Sequence, residues 1–376
     1  MKTVTYIANG DLRQSANQKA WPTQAVTEEQ LVERLSDAGI FAVRGHDVDE
    51  TKGHGFIDSQ RRGLEVFRGI DPETPLIVML TTWQYSHHIL HGLITHRAPI
   101  LTIANWSGRY PGLVGMLNLN ASMTKAGVPY STLWSERFDD AFFLKGLDEW
   151  INSESIRHDE SHARPLQPGG EPAAALGARL GRALLSEKAI LGIFDEGCMG
   201  MYNAIVPDEL LNATGLFKER LSQSALFYET GQVDDATAAA SLTWLLDRGV
   251  VFHFGQDDEN DLTEEQVLKQ LKMYHAAVRI ADDFGCDAIG IQYQQGLKDL
   301  LPASDLAEGL LNNVERPPVH SRTGSRELFA GRAVPHFNEV DECAGIDALV
   351  TNRIWTEMGF DPATTLHDVR WGDHFG

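Results

Sequence analysis

Apolar positions along this chain follow two rhythms. Short continuous runs at residues 4–8, 40–43, 76–80, 100–104, 189–194, 250–254 and 288–293 read as strands. A run that is apolar at nearly every position suits a parallel strand covered on both faces. Between the runs lie stretches with apolar residues at helical spacing. Thr27-Glu28-Glu29-Gln30 reads as a capping box that opens a helix ending near Gly39. Thr263-Glu264-Glu265-Gln266 opens another, whose stripe of Val267, Leu271, Tyr274, Val278 and Ile280 stops at Gly285. Asp235 is expected to cap a helix over 236–246 that stops at Gly249. The alternation predicts α/β layers with parallel sheets.

One segment breaks the rhythm. Residues 153–172, SESIRHDESHARPLQPGGEP, are polar, aperiodic and rich in Pro and Gly, which predicts a linker. The expected organisation is an α/β domain over 1–152, this linker, a second α/β domain over 173–358 that opens with a helix over 173–185, and the start of a C-terminal domain over 359–376. Both α/β domains are expected to be doubly wound, Rossmann-like parallel sheets.

The chain has 376 residues, ample for two such domains at roughly 100–200 residues each. Its 53 acidic against 32 basic residues give a net charge of −21. That balance argues against a general nucleic-acid binder, which must neutralise phosphates, and against an anionic membrane surface. No apolar run approaches the roughly 18 residues that span a bilayer. Met1-Lys2-Thr3-Val4 leads into the first strand instead of a signal peptide, which counts against a periplasmic-type binding protein of similar layout. Cys198, Cys286 and Cys343 are far apart, with no CxxC. A reducing cytoplasm is therefore expected.

Candidate chemistry is scattered. The turns Gly108–Gly112 and Gly197–Gly200 follow strands but match neither GxGxxG nor a P-loop, so close backbone packing is their simpler reading. His87 and His91 have zincin spacing, but no Glu lies between them and no carboxylate stands nearby. Trp83 and Tyr85, in Trp83-Gln84-Tyr85-Ser86, offer aromatic faces that suit either a sugar ring or a packed domain edge. Gln292-Tyr293-Gln294-Gln295 ends a strand with amides suited to hydroxyl groups, although simple turns look the same. Glu339, in Pro335-His336-Phe337-Asn338-Glu339-Val340-Asp341-Glu342, and Asp368, in Leu366-His367-Asp368-Val369-Arg370, lie on successive elements. Two such carboxylates suit a hard divalent cation, though among 53 acids solvated surface is the plainer reading.

Taken in order, these motifs resemble the L-fucose/L-arabinose isomerase family, most closely its fucose isomerase-like branch. The resemblance rests on FDEGCMGMYNAIVPD at 194–208, IGIQYQQ at 289–295, NEVDECAG at 338–345, IANWSGRYPG at 103–112 and Asn9-Gly10-Asp11-Leu12-Arg13. It runs from about residue 3 to residue 372, carried by the order of the motifs and not by any one of them.

The resemblance implies a fold of two doubly wound domains followed by a β-rich domain, in cytoplasmic homo-oligomers that use manganese. It assigns Glu339 as catalytic glutamate and metal ligand, and Asp368 as catalytic aspartate and second ligand. Gln294 would contact sugar hydroxyls. Trp83 would reach the pocket of a neighbouring subunit, which places the site near a subunit interface. Arg13 would lie near the substrate. The implied reaction is aldose–ketose interconversion through a cis-enediol, with one carboxylate taking the carbon-bound proton and an acid returning one. A chelated Mn²⁺, or Mg²⁺, stabilises the enediolate charge. Which carboxylate is acid and which is base stays open. Relatives continue past Asp-Val-Arg-Trp-Gly into a segment with a histidine ligand, so the β-rich domain is expected to be largely absent here. Two readings follow: a sugar ketol-isomerase of impaired activity, or a non-catalytic sugar-binding or regulatory protein derived from one.

Overall fold

A computed structural model describes residues 2–364, apart from 168, 196 and 258–260 and the side chains of 198 and 295. The described chain forms two compact units, one over 2–165 with 200–203, the other over 166–199 and 204–364. The break between residues 165 and 166 falls within the polar, aperiodic segment.

The first unit runs β1 (Thr3–Ala8), α1 (Gln14–Asp37), β2 (Phe41–Arg44), α2 (Gln60–Gly69), β3 (Leu76–Leu80), α3 (Leu90–Thr95), β4 (Ile100–Asn105), α4 (Leu113–Ala126), β5 (Ser131–Ser135) and α5 (Ala141–Ser153). Its five strands are parallel, in the order β2-β1-β3-β4-β5. Alternate residues of β3 face opposite sides. Val78 and Leu80 pack with Val66 of α2, Leu93 of α3 and Met116 and Leu119 of α4. Ile77 and Met79 pack with Leu31 and Leu35 of α1 and with Phe143, Leu147 and Trp150 of α5. Helices thus cover both faces, which is why β3 is apolar at every position. Each such buried side chain contributes roughly 1.5–3 kcal/mol.

The second unit runs α6 (Glu171–Glu187), β6 (Ala189–Phe194), α7 (Asp208–Asn212), β7 (Leu216–Leu221), α8 (Gln223–Gln232), α9 (Asp235–Asp247), α10 (Glu264–Phe284), β8 (Ala288–Ile291), α11 (Tyr293–Gly296), α12 (Asp305–Leu311) and α13 (Glu342–Met358). Three parallel strands lie in the order β7-β6-β8. Phe194, Ile289 and Ile291 pack with Leu226 of α8, Leu242 of α9, Leu271 and Val278 of α10 and Leu311 of α12. The capping box of α10 forms as expected. Thr263 Oγ1 accepts from Gln266 N at 3.3 Å, and Gln266 Oε1 accepts from Thr263 N at 3.0 Å.

Both sheets reverse direction of growth once. The chain goes from β1 to β2 on one side and then to β3 on the other; β6, β7 and β8 repeat the pattern. Such a reversal opens a crevice at the carboxyl ends of the two strands flanking it, where open α/β sheets bind ligands.

Several sequence expectations fail for identifiable reasons. Thr27 does not start a helix: α1 begins at Gln14 and runs through Pro22, and Thr27 Oγ1 donates to Thr23 O at 2.6 Å within it. Asp234, not Asp235, caps α9 by accepting from Thr237 N at 2.7 Å. Residues 250–254 pair with no described strand, and Val251 and Phe254 are exposed; a short apolar run alone does not make a ladder. The strand expected over 288–293 stops at Ile291, because Tyr293 already opens the turn of α11. β5 and β7 were hidden by Ser131, Ser135, Lys218, Glu219 and Arg220, polar residues that broke the apolar pattern. No helix among the described residues is long and apolar enough to cross a membrane.

Candidate functional site

β8 is an edge strand, and the chain returns beside it. Ile289 N donates to Pro335 O at 3.0 Å, and Phe337 N donates to Ile289 O at 3.1 Å. Phe337 is fully buried, and two glycines admit its ring. A Cβ at Gly290 of β8 would lie 2.5 Å from Phe337 Cε2, and one at Gly345 of α13 would lie 2.8 Å from Phe337 Cδ1. This packing delivers Glu339 to the carboxyl end of β8. There the Gln294 side-chain amide donates to Glu339 Oε1 and, at 3.4 Å, to the Tyr293 hydroxyl. Gln294 Oε1 and Asn338 Oδ1 are buried without hydrogen-bond partners.

The backbone here is unusual. Glu339 has φ 55° and Val340 φ 63°, and across the sheet reversal Asp195 has φ 63° and Met199 φ 46°. Left-handed φ costs a residue with a Cβ roughly 1–2 kcal/mol. Such positions gather where a site requires a particular side-chain direction. Gln223, at the start of α8, ties the two strand ends together. Its amide donates to Phe194 O at 3.3 Å and to Gln292 O, while its backbone N donates to Asp195 Oδ2 at 3.2 Å.

Two buried groups support the segment carrying Glu339. Glu342, at the start of α13, accepts from Val206 N at 2.6 Å and pairs with Lys218 Nζ at 2.7 Å. Glu308 of α12 takes the Ser304 hydroxyl at Oε1 and lies 3.6 Å from His336 Nδ1 through Oε2. Burial raises the Glu308 carboxyl to about 8, and Asp305 and Glu339 act in the same direction. Burial lowers His336 to about 3. Both groups are therefore neutral near pH 7.

Of the expected site residues, Gln294 and Glu339 meet in the second unit. Arg13 and Trp83 belong to the first, at the ends of β1 and β3. The Arg13 guanidinium grips the buried Asp11 carboxylate through Nε at 3.0 Å and Nη2 at 2.6 Å. Trp83 is half-buried, and its Nε1 is buried without a partner. The two loops are joined, since Tyr85 N donates to Gly10 O at 3.1 Å and Asn9 Nδ2 donates to Tyr85 O at 3.0 Å. Asp368 lies outside the described residues. His88 stacks on Tyr85 at 5.3 Å between ring centres, and burial lowers it to about 4. At Gly112 a Cβ would lie 1.8 Å from Leu80 O, so that turn packs backbone on backbone.

Mn²⁺ and Mg²⁺ take oxygen ligands. The Glu339 carboxylate, with the Gln294 and Asn338 amide oxygens buried without partners, fits such an ion in kind. No group of three His, Cys, Asp or Glu side chains assembles as a metal site among the described residues. A separate cavity of about 720 Å³ opens between α6 and α13; two of its arginines are occupied, Arg179 by Glu357 and Arg353 by Asp287 at 3.3 Å.

Sequence reasoning missed Gln223, Glu308, Lys218 and Glu342. Only Glu342 stood in a cluster already singled out; the others are polar residues whose burial depends on tertiary packing. Comparison with models of known families and with curated proteins finds no match to this chain.

Proposed function

We propose that this chain is a sugar ketol-isomerase of the L-fucose/L-arabinose isomerase kind, interconverting an aldose and its ketose through a cis-enediol. The Gln294–Glu339 contact carries the proposal. It fixes an amide suited to hydroxyl groups against a carboxylate, at a strand end where α/β sheets bind ligands. The two sheets are then those of two doubly wound, Rossmann-like domains.

In this reading Gln294 Oε1 accepts from a sugar hydroxyl. Glu339 and Asp368 divide the acid and base roles: one takes the proton from C2 and the other delivers a proton to C1, while the hydroxyl proton passes from the C2 oxygen to the C1 oxygen. Mn²⁺ or Mg²⁺, held by the same two carboxylates, supplies charge stabilisation for the substrate oxygens when bound. Arg13 donates to the sugar and Trp83 covers its ring. Trp83 does so for a neighbouring copy, so the protein works as a homo-oligomer with its site near a subunit interface. Nucleic acid and membrane are not partners, and the cytoplasm is the compartment.

Thermal unfolding with and without Mn²⁺ tests the assignment. Mn²⁺ raises the midpoint of the wild type, and Glu339→Gln or Asp368→Asn removes most of that rise. A rise of wild-type size in both variants overturns it. Sugar binding without turnover in calorimetry points instead to a non-catalytic sugar-binding protein.

A further inference from the structure

We infer that Glu308 and His336 form a buried positioning link that fixes the end of β8 against the segment carrying Glu339, and thereby sets the Gln294–Glu339 contact. His336 lies on the segment paired with β8, and its ring reaches forward along the strand. Ile291 N, on the last residue of β8, donates to His336 Nε2 at 3.1 Å. Because Nε2 accepts, the proton of the neutral imidazole sits on Nδ1, the atom that faces Glu308 Oε2 at 3.6 Å. Asn312, at the end of α12, holds the same residue from its backbone side by accepting from His336 N at 2.7 Å.

Packing alone does not call for these groups. An apolar side chain would fill the space of Glu308 without the cost of burying a carboxyl group. What the polar pair adds is direction. Beyond Ile291 the chain continues to Gln294, and beyond His336 to Glu339, so the imidazole joins the two strands just before each delivers its side chain to the site. The groups around Glu308 are Ser304 and Asp305 on its own helix start, His336 and Glu339 on the returning segment, and Tyr293 on α11. Glu308→Gln keeps the length of the side chain and a polar end facing Ser304 and His336, whereas Glu308→Ala removes it.

The role in a sugar site rests on the isomerase reading; the geometric link does not, and the test separates them. The full chain is labelled with ¹⁵N in glutamine side chains, and Gln294 is assigned through Gln294→Glu. Glu308→Ala and His336→Phe are expected to move the Gln294 amide resonances, while Glu308→Gln leaves them at wild-type positions and Gln24 of the first unit stays fixed in all three. Calorimetry with Mn²⁺ alone is expected to show about 10- to 100-fold weaker binding in Glu308→Ala and wild-type binding in Glu308→Gln. Should Glu308→Ala fail to fold, Glu308→Met takes its place. Unmoved Gln294 resonances in folded Glu308→Ala or Glu308→Met overturn the link, as does failure of Glu308→Gln to restore them. If the wild type binds neither Mn²⁺ nor any aldose, the isomerase reading fails while the resonances still decide the link.

Discussion

Lys218 Nζ lies 2.7 Å from Glu342 Oε2, with the two side chains 1% and 0% exposed. Lys218 also reaches the solvent-exposed Asp208 Oδ1 at 3.2 Å, so β7 and the start of α13 share a buried ion pair that α7 meets at the surface. Removing one partner of a buried pair strands the other and costs about 3–5 kcal/mol, whereas replacing both with apolar groups is often neutral. Lys218→Met is expected to lower stability by about 3 kcal/mol or more in urea denaturation. Lys218→Met with Glu342→Leu should recover most of that loss. An unchanged midpoint in the single variant contradicts this account of how the Glu339 segment is anchored.

Glu339 holds a left-handed backbone, with φ 55°. Asn tolerates that conformation better than Glu does. Glu339→Asn should therefore leave stability unchanged or raise it by roughly 1 kcal/mol, while abolishing the Mn²⁺-dependent rise in thermal midpoint. Loss of stability together with loss of the metal effect would show the carboxylate to be structural.

Gly290 and Phe337 set how closely the returning segment approaches β8. Gly290→Ala places a Cβ 2.5 Å from the buried ring and is expected to cost about 1–3 kcal/mol. Phe337→Leu added to Gly290→Ala should recover part of it. Additive losses in the double variant, read from denaturation midpoints, speak against this packing.

Glu308 and the buried histidines give stability a definite pH dependence. The folded Glu308 carboxyl is raised from 4.5 to about 8, chiefly by burial. Its contribution is complete below 4.5 and is lost as pH rises through about 8. His46 and His336, lowered to about 3, and His88 and His275, lowered to about 4, act at the other end. They bind protons only in the unfolded chain as pH falls below 6.5, so stability drops there too. A maximum between these limits follows. Glu308→Gln should flatten the alkaline decline between pH 6.5 and 8.5 by an amount on the order of a few kcal/mol, read from thermal midpoints. Parallel curves for variant and wild type contradict it.

The strands buried on both faces were legible in the sequence because every position of β3 and β6, and of β4 up to Ala104, is apolar or small. The helix over 264–284 was legible because cap, stripe and terminal glycine agree. β7 was not, since Lys218 reads as surface until Glu342 is brought to it. Gln294 and Glu339 were legible only as members of ordered motifs; nothing in their own neighbourhoods foretold that an edge strand and a returning segment would join them. Glu308 was invisible, because the burial that keeps it neutral depends on α12 packing beside the bridged segment at Pro335–Phe337.

Ketose formation is the most direct measurement of the central claim. The full chain is incubated with aldopentoses and 6-deoxyaldohexoses, with and without added Mn²⁺, beside Glu339→Gln. The account predicts a ketose from at least one of these sugars in the presence of Mn²⁺, and none from the variant. No ketose from any of them with Mn²⁺ present, or equal turnover by Glu339→Gln, contradicts it.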